Sequence, residues 1–239
     1  MVKQSGPIYR QDISERILFE DNHLIVVNKL PSEIVQGDKT GDEPLSESVK
    51  QYIKKKYNKP GEVFLGVVHR IDRPVSGAVV FARTSKALTR MNEMVKNHEM
   101  TKRYWAIVKN RPKEESGRLE HYLLRNEKQN KAYVYPKEVA NGKHAILNYQ
   151  LLVSSKDYHL IEVELITGRH HQIRAQLAAI GCPIKGDLKY GFPRSNPDAS
   201  ISLHARKMSF THPVTKQVVS VEAMPPKDVL WDFFLKSVM

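Results

Sequence analysis

Short apolar runs rich in β-branched residues recur along the chain between turn-forming residues, a pattern typical of a β-rich protein. Near the start, ILFE and HLIVVNK flank Asp21 and Asn22, so we predict a β-hairpin over residues 17–30. Similar runs predict strands at residues 67–68, 78–82, 101–109, 118–124, 132–135, 145–154, 159–166, 201–210 and 217–222. Most of these strands follow one another directly, which favours an antiparallel or mixed sheet.

Helical spacing of apolar residues predicts four helices among these strands. One covers residues 44–57, where Leu45, Val49 and Ile53 share a face before Pro60-Gly61. The others are predicted at residues 85–98 with Ser85 as the N-cap, at 170–180 with Gly181 as the C-cap, and at 227–236. No repeat or linker is visible, so we predict a single α+β domain over residues 1–239.

The charge balance points to a polyanionic partner. Lys and Arg outnumber Asp and Glu by 38 to 26, which gives a net charge of +12. Residues 83–143 alone hold 15 basic and 7 acidic side chains. A basic face that binds nucleic acid is the favoured interpretation, because phosphate neutralisation dominates such binding. Solvated surface lysines are the alternative for part of this excess.

Cysteine usage and hydropathy indicate a cytoplasmic location. The single cysteine, Cys182, lies in the apolar stretch AAIGCPI and is interpreted as a core residue in a reducing compartment. The amino-terminal MVKQSGPIYRQDISER has no apolar core of the signal-peptide type, and no run is long enough to cross a bilayer. We expect a cytoplasmic monomer without membrane contact.

The segment GVVHRIDRPVSGAVVFAR carries the clearest candidate site. Asp72 lies between Arg70 and Arg73 in a loop enclosed by two predicted strands, with Pro74 and Gly77 marking the turn. The neighbouring guanidinium groups favour the ionised carboxylate and are themselves candidate phosphate ligands. A surface ion-pair network is the alternative interpretation. The density of special residues in one loop favours a positioned catalytic group.

A second candidate segment is ITGRHHQIRAQLAAIG, in which a strand ends and a helix begins. Free N–H groups at a helix N-terminus attract anions. We expect Arg174, in the first turns of the helix, to reach a carboxylate such as Asp72, and Arg169 to meet phosphate. A metal is not expected, because His170 and His171 point about 100° apart on a helix and no further ligand pattern accompanies them.

The third candidate segment, TKRYWAIVKN, interleaves basic and aromatic residues on a predicted strand. Lys102 and Arg103 precede Tyr104 and Trp105. Aromatic rings beside basic side chains can stack on an unpaired base. Because side chains alternate along a strand, Tyr104 and Trp105 face opposite ways, so at most one of them lines a site. Core packing is the alternative for each ring.

Two enzyme classes are excluded by their missing motifs. The HRID sequence differs in order from the kinase HRD loop, and neither a Gly-rich phosphate loop nor a DFG motif accompanies it. A triad hydrolase is not supported, because Ser76 lies in no GxSxG elbow.

The chain resembles the RluA-type family of RNA pseudouridine synthases. The family loop HRLDRxTSG appears here as HRIDRPVSG, and EDNHLIVVNKLP, KRYWAIV, TGRHHQIRAQLAAIGCPIKGD and SLHARKMSFTHP are similar to further family motifs. These stretches run in the family order over residues 17–226. The resemblance implies a catalytic domain with a mixed, mainly antiparallel bent sheet and a central basic cleft, without metal or organic cofactor.

The resemblance also implies roles for individual residues. It makes Asp72 the catalytic aspartate, Tyr104 the active-site tyrosine and Arg174 the active-site arginine, while Arg70 fills the stack left by a flipped uridine. The enzyme would break the N1–C1′ bond of a uridine in ribosomal or transfer RNA and rejoin the uracil through C5. Asp72 would either attack C1′ or take a proton from C2′, and both routes stay open. Arg73, Lys102, Arg103 and Arg169 are further candidate RNA contacts.

The chain departs from the family pattern at two places. The usual NKPxG is Asn28-Lys29-Leu30-Pro31-Ser32 here, and the usual Val-His after the motif arginine is Ala175-Gln176. About sixteen residues precede the first predicted strand, so we expect no separate N-terminal RNA-binding module. The main alternative function is a noncatalytic RNA-binding or assembly protein that holds RNA in the same cleft. A DNA-binding protein is a weaker one, because no DNA-binding motif is present.

Overall fold

A computed structural model describes residues 12–239 of the chain. Four α-helices are present in this part: α1 (Leu45–Lys56), α2 (Ser85–Lys96), α3 (Gln172–Ala179) and α4 (Val229–Val238). The strands are β1 (Ile17–Glu20), β2 (Leu24–Lys29), β3 (Gly66–Val67), β4 (Ser76–Ala82), β5 (Thr101–Val108), β6 (Ser116–Asn126), β7 (Lys131–Tyr135), β8 (Lys143–Ser154), β9 (His159–Leu165), β10 (Leu203–Thr211) and β11 (Val218–Glu222). Short 3₁₀ turns lie at Ile13–Arg16 and Leu188–Tyr190.

All the strands belong to one sheet in the order β1-β2-β4-β10-β5-β9-β8-β6-β7, with β3 paired to β4 and β11 paired to β10. The β4–β10 pair is parallel, and every other described pair is antiparallel. The prediction of an α+β fold on a mixed, mainly antiparallel sheet is therefore confirmed. The expected absence of an N-terminal module concerns in part residues 1–11, which lie outside the described residues.

The predicted elements are all present, with shifted boundaries. The N-cap of α2 is Thr84 and not Ser85, because the Thr84 hydroxyl accepts a hydrogen bond from the Ala87 N–H. The predicted start of α3 at His170 is too early, since His171 has a left-handed φ of 52° and the helix begins at Gln172. The two 3₁₀ turns had no recognisable sequence signal.

Helices cover both faces of the sheet. Alternation on β2 directs Leu24 and Val26 into the cluster under α2, and Ile25 and Val27 into the cluster under α1. Strand β5 repeats this arrangement with α3 and α4 on its two sides. The central strands are therefore buried on both faces, which explains their almost continuous apolar runs. Within residues 12–239, no helix is long and apolar enough to cross a membrane.

Gly77 lets β4 approach β10 closely. Its φ is 116°, and an added Cβ would lie 2.7 Å from the Cα of Ala205. The preceding Ser76 makes a buried 2.8 Å hydrogen bond with Nδ1 of His204, whose Nε2 is 3.0 Å from the Ala223 carbonyl. Because a carbonyl only accepts, Nε2 carries the proton and Nδ1 accepts from the Ser76 hydroxyl. Ser76 and Gly77, the last two residues of HRIDRPVSG, thus hold the preceding loop against β10.

His204 is expected to make the protein less stable in acid. Burial lowers the pKa of His204 to about 4, whereas an unfolded histidine titrates near about 6.5. The unfolded state therefore binds the proton first as the pH falls through this window. We expect the free energy of unfolding to drop by about 2 kcal/mol between pH 8 and pH 5 from this residue alone. Urea unfolding of wild type and His204→Gln, compared over this range, measures that contribution.

The control for this prediction is His98→Asn. His98 is exposed at a φ of 58°, which asparagine tolerates, so this variant should keep the wild-type pH dependence. Identical slopes for wild type and His204→Gln would contradict the assignment.

Candidate active site

Asp72 lies in the loop between β3 and β4, and hydrogen bonds from Lys29 and Ser32 hold the backbone of this loop in place. The carbonyl of Arg73 accepts hydrogen bonds from the Ser32 N–H at 2.9 Å and from the Lys29 ammonium at 3.1 Å. The Val75 N–H closes a turn on the Asp72 carbonyl at 3.0 Å. The Asp72 side chain itself stays 28% exposed. A rigid backbone therefore presents a carboxylate that solvent, and a substrate, can reach.

Lys29 is a buried cation beneath this loop. Its side chain is fully buried, and its ammonium donates to the carbonyls of Leu30, Glu33 and Arg73. Burial lowers its pKa to about 7, against the opposing charges of Glu33 and Asp72. Three carbonyl acceptors match the three protons of the ammonium form, so the geometry favours a charged Lys29.

Arg174 joins two carboxylates. Its Nη1 is 2.9 Å from Oδ2 of Asp72, while Nε and Nη2 bind the two oxygens of Asp187 at 2.7 and 2.9 Å. Burial alone would lower the pKa of Arg174, but hydrogen bonds and charge from Asp187 and Asp72 outweigh it and raise the pKa. The structure thus brings Arg174 to Asp72, as expected from the sequence. Asp187 is only 1% exposed; it ends the family-like stretch TGRHHQIRAQLAAIGCPIKGD but was not singled out as a site residue from sequence.

Tyr104 and Trp105 face opposite sides of β5, as alternation predicted. Tyr104 belongs to the buried cluster that includes Val75, and Trp105 packs with α4. Burial and the charge of Asp72 raise the pKa of the Tyr104 hydroxyl. Tyr104 is therefore a neutral phenol within the electrostatic influence of Asp72.

His171 and Tyr190 complete the surroundings of Asp72. From sequence, His171 was considered only as part of a metal pair, which was not expected, and Tyr190 was not considered. Nε2 of His171 is 3.5 Å from Oδ2 of Asp72, and Nδ1 is 3.0 Å from the Tyr190 hydroxyl. Burial lowers the pKa of His171 to about 3. The His170 ring stacks on His171 at 3.8 Å. Among residues 12–239, no group of three His, Cys, Asp or Glu side chains has a geometry that could hold a metal.

The candidate RNA contacts separate into two groups. Arg70 and Arg73 are exposed on the Asp72 loop, where Arg73 pairs with Asp42 at 2.7 Å. Lys102 lies two residues before Tyr104 on the same strand, and its ammonium is close to Gly168.

The other two candidates make contacts away from Tyr104. Arg103 alternates to the Trp105 face and pairs with Glu162 at 2.9 Å. Nε of Arg169 donates to the His144 carbonyl at 2.9 Å. The structure does not bring Arg103 to the Tyr104 side of the sheet, because strand alternation directs it away.

Both departures from the family pattern have structural compensation. Ser32 adopts a left-handed φ of 70°, the conformation for which the usual glycine is suited, and its N–H still binds the Arg73 carbonyl. Gln176 is fully buried, and its amide nitrogen lies 3.2 Å from the carbonyls of Leu119 and Ala145. It thereby fastens α3 to β6 and β8 behind the site.

Ser32→Gly is expected to stabilise the protein by about 1 kcal/mol, because the left-handed backbone conformation is destabilising by about that amount for a non-glycine residue. Urea unfolding measures the change, and activity should stay at the wild-type level. The matched control is Ser237→Gly, at an exposed position near the end of α4, where glycine should instead lower stability. A Ser32→Gly protein that is less stable than wild type would contradict the claim that the Ser32 backbone is strained.

The comparisons with known proteins agree with this fold. A family model described as RNA pseudouridylate synthase matches residues 23–179. The chain is 33% identical over 230 residues to ribosomal large subunit pseudouridine synthase D of Zymomonas mobilis, covering 92% of this chain and 72% of that protein. It is 32% identical over 217 residues to a Bacillus subtilis protein named Uncharacterized RNA pseudouridine synthase YlyB, covering 89% and 70% of the two chains.

Among solved structures, human RNA Pseudouridylate Synthase Domain Containing 4 superposes with a TM-score of 0.80 at 23% identity, over 93% of each chain. This likeness confirms the fold. The family match and the sequence relatives define the protein as an RNA-modifying isomerase. The chain belongs to the RluA-type family of RNA pseudouridine synthases.

Proposed function

We propose that this protein converts specific uridines in ribosomal RNA to pseudouridine, with Asp72 as the catalytic group. The observation that carries the proposal is the 2.9 Å contact between Arg174 Nη1 and the partly exposed carboxylate of Asp72. A partly exposed carboxylate aimed by a buried arginine suits either attack on C1′ or removal of the C2′ proton. Both routes stay open.

The reaction rearranges bonds within one nucleotide. The N1–C1′ bond breaks, the uracil turns, a C5–C1′ bond forms, and the proton leaves C5 while N1 gains one. The product is an isomer of the substrate, so no external oxidant or reductant is required. We propose that the enzyme works as a cytoplasmic monomer, through a single catalytic domain, without metal or organic cofactor. Unchanged turnover after prolonged chelation would support the absence of a metal, and its loss would overturn that part.

Access to the sugar requires the uridine to leave its stack, at a cost of a few kcal/mol. In our proposal Arg70 occupies the vacated position, and Arg73 and Lys102 bind neighbouring phosphates. Arg70 is exposed and has no hydrogen bond or ion pair among the described residues, so it is available for this role. Tyr104 contacts the flipped base and assists proton movement as a neutral phenol.

The proposal of ribosomal RNA rests on the name of the Zymomonas mobilis relative, and transfer RNA is the other possible target. The test is to map pseudouridines in total RNA from cells with and without the gene. We expect loss of one or a few sites in large-subunit ribosomal RNA when the gene is absent. Losses confined to transfer RNA would overturn the target, and unchanged maps in both RNAs would overturn the function.

A further inference from the structure

We propose that His171, oriented by Tyr190, is a positioning residue that binds Oδ2 of Asp72 together with Arg174 and leaves Oδ1 as the reacting oxygen. The inference rests on the proposed function of Asp72. It adds an assignment of the two carboxylate oxygens and a role for two residues outside the proposed catalytic set.

The contacts of Asp72 are asymmetric. Arg174 Nη1 approaches Oδ2 at 2.9 Å and His171 Nε2 approaches the same oxygen at 3.5 Å. Oδ1 accepts no hydrogen bond from any residue in the range 12–239. The lone pairs of Oδ1 are therefore the ones left for C1′ or for the C2′ proton.

The hydrogen bonds of Tyr190 set the tautomer of His171. The Ala132 N–H donates to the Tyr190 oxygen at 2.8 Å, so the hydroxyl proton is directed to its other neighbour, Nδ1 of His171, at 3.0 Å. A neutral imidazole that accepts at Nδ1 carries its proton at Nε2. That N–H is the group that faces Asp72. The chain from Ala132 to Tyr190 to His171 thus ends in an N–H group whose nitrogen lies 3.5 Å from the carboxylate.

The environment keeps His171 neutral. The residue is 8% exposed, and burial lowers its pKa although the charge of Asp72 acts in the opposite direction. Arg174 and the stacked His170 ring also disfavour a second positive charge there. In our proposal, a neutral imidazole N–H at 3.5 Å orients Oδ2 and keeps its own proton, so the carboxylate stays free to act.

The backbone at His171 leaves its ring available for other contacts. His171 has a φ of 52° at the N-cap of α3, and its side chain makes no cap hydrogen bond. Histidine is one of the non-glycine residues most often found in this conformation. The ring lies between the Tyr190 hydroxyl and the Asp72 carboxylate.

The test compares two variants that share the same backbone strain. His171→Gln keeps an N–H donor near the Nε2 position, and His171→Leu removes it. Single-turnover rates are measured on a synthetic RNA that contains the uridine mapped in cells, and the Kd for the same RNA is measured separately. We expect His171→Leu to lower the rate about 10- to 100-fold with a Kd within about twofold of wild type. His171→Gln should recover most of the loss.

Tyr190→Phe tests the second link without altering His171. It should lower the rate about threefold to tenfold, because the imidazole tautomer is no longer fixed. The matched control is Tyr149→Phe, a buried tyrosine whose hydroxyl donates to the Glu114 carbonyl at 3.4 Å, and it should keep the wild-type rate. Should His171→Leu fail to fold, this tyrosine pair decides the question.

Equal rates for His171→Leu and His171→Gln would overturn the inference, as would a wild-type rate for His171→Leu. If both histidine variants fold, a Tyr190→Phe rate equal to wild type would overturn the role of Tyr190. Asp72→Asn is assayed alongside. If Asp72→Asn is inactive while His171→Leu is fully active, only this inference fails. If Asp72→Asn itself retains wild-type turnover, the proposed function of Asp72 fails instead.

Discussion

Asp72→Asn is expected to reduce the single-turnover rate of pseudouridine formation by at least about 10³-fold, equivalent to roughly 4 kcal/mol of barrier. The amide has nearly the same shape as the carboxylate and can still accept a hydrogen bond from Arg174. It is neutral, however, so it is neither a nucleophile for C1′ nor a base for C2′. The thermal midpoint and the RNA Kd should stay close to wild type, because Arg174 keeps its two hydrogen bonds to Asp187.

The matched control for this variant is Asp157→Asn, at an exposed position in the turn between β8 and β9. Its rate should lie within about twofold of wild type. A folded Asp72→Asn protein that turns over RNA at the wild-type rate would exclude both catalytic routes for Asp72.

Asp187→Ala is expected to destabilise the protein by about 3–5 kcal/mol, because it leaves the buried Arg174 guanidinium without the carboxylate that binds it twice. We also expect the single-turnover rate to fall at least about tenfold, because Arg174 no longer has a fixed orientation toward Asp72. Asp187→Asn, which keeps one acceptor, should lose less of both. Urea unfolding and the kinetic assay described above measure the two effects.

The control for Asp187→Ala is Glu115→Ala, which removes the exposed partner of Arg111. An exposed ion pair contributes about 0–1 kcal/mol, so this variant should unfold near the wild-type urea concentration. Equal losses from Asp187→Ala and Glu115→Ala would show that the Arg174–Asp187 contact does not support the site.

Local sequence signals predicted the elements that hold the site. The β-hairpin was visible from two apolar runs around Asp21, and the opposite directions of Tyr104 and Trp105 followed from strand alternation alone. The contact between Arg174 and Asp72 was expected because the arginine lies in the first turns of a helix. Each of these expectations depends on periodicity or on the nature of a helix terminus, which a single sequence displays.

The buried polar partners had no such signal. Lys29 and Asp187 lie within family-like stretches of the sequence, but only the tertiary fold shows that their charges are buried and which groups they bind. Tyr190 forms a hydrogen bond with His171 from a distant part of the sequence. Arg103 was grouped with Lys102 as a candidate RNA contact, although strand alternation places the two side chains on opposite faces of the sheet. Long-range hydrogen bonds between buried polar groups are not encoded in local periodicity, so these residues emerged only from the structure.

The most direct test of the catalytic claim is made in cells that lack the gene. The gene is restored either as wild type or as Asp72→Asn at equal protein level, and pseudouridine is measured at the site lost on deletion. We expect wild type to restore the modification and Asp72→Asn to leave the uridine unmodified. Restoration of pseudouridine by Asp72→Asn would contradict the claim that this carboxylate performs the reaction.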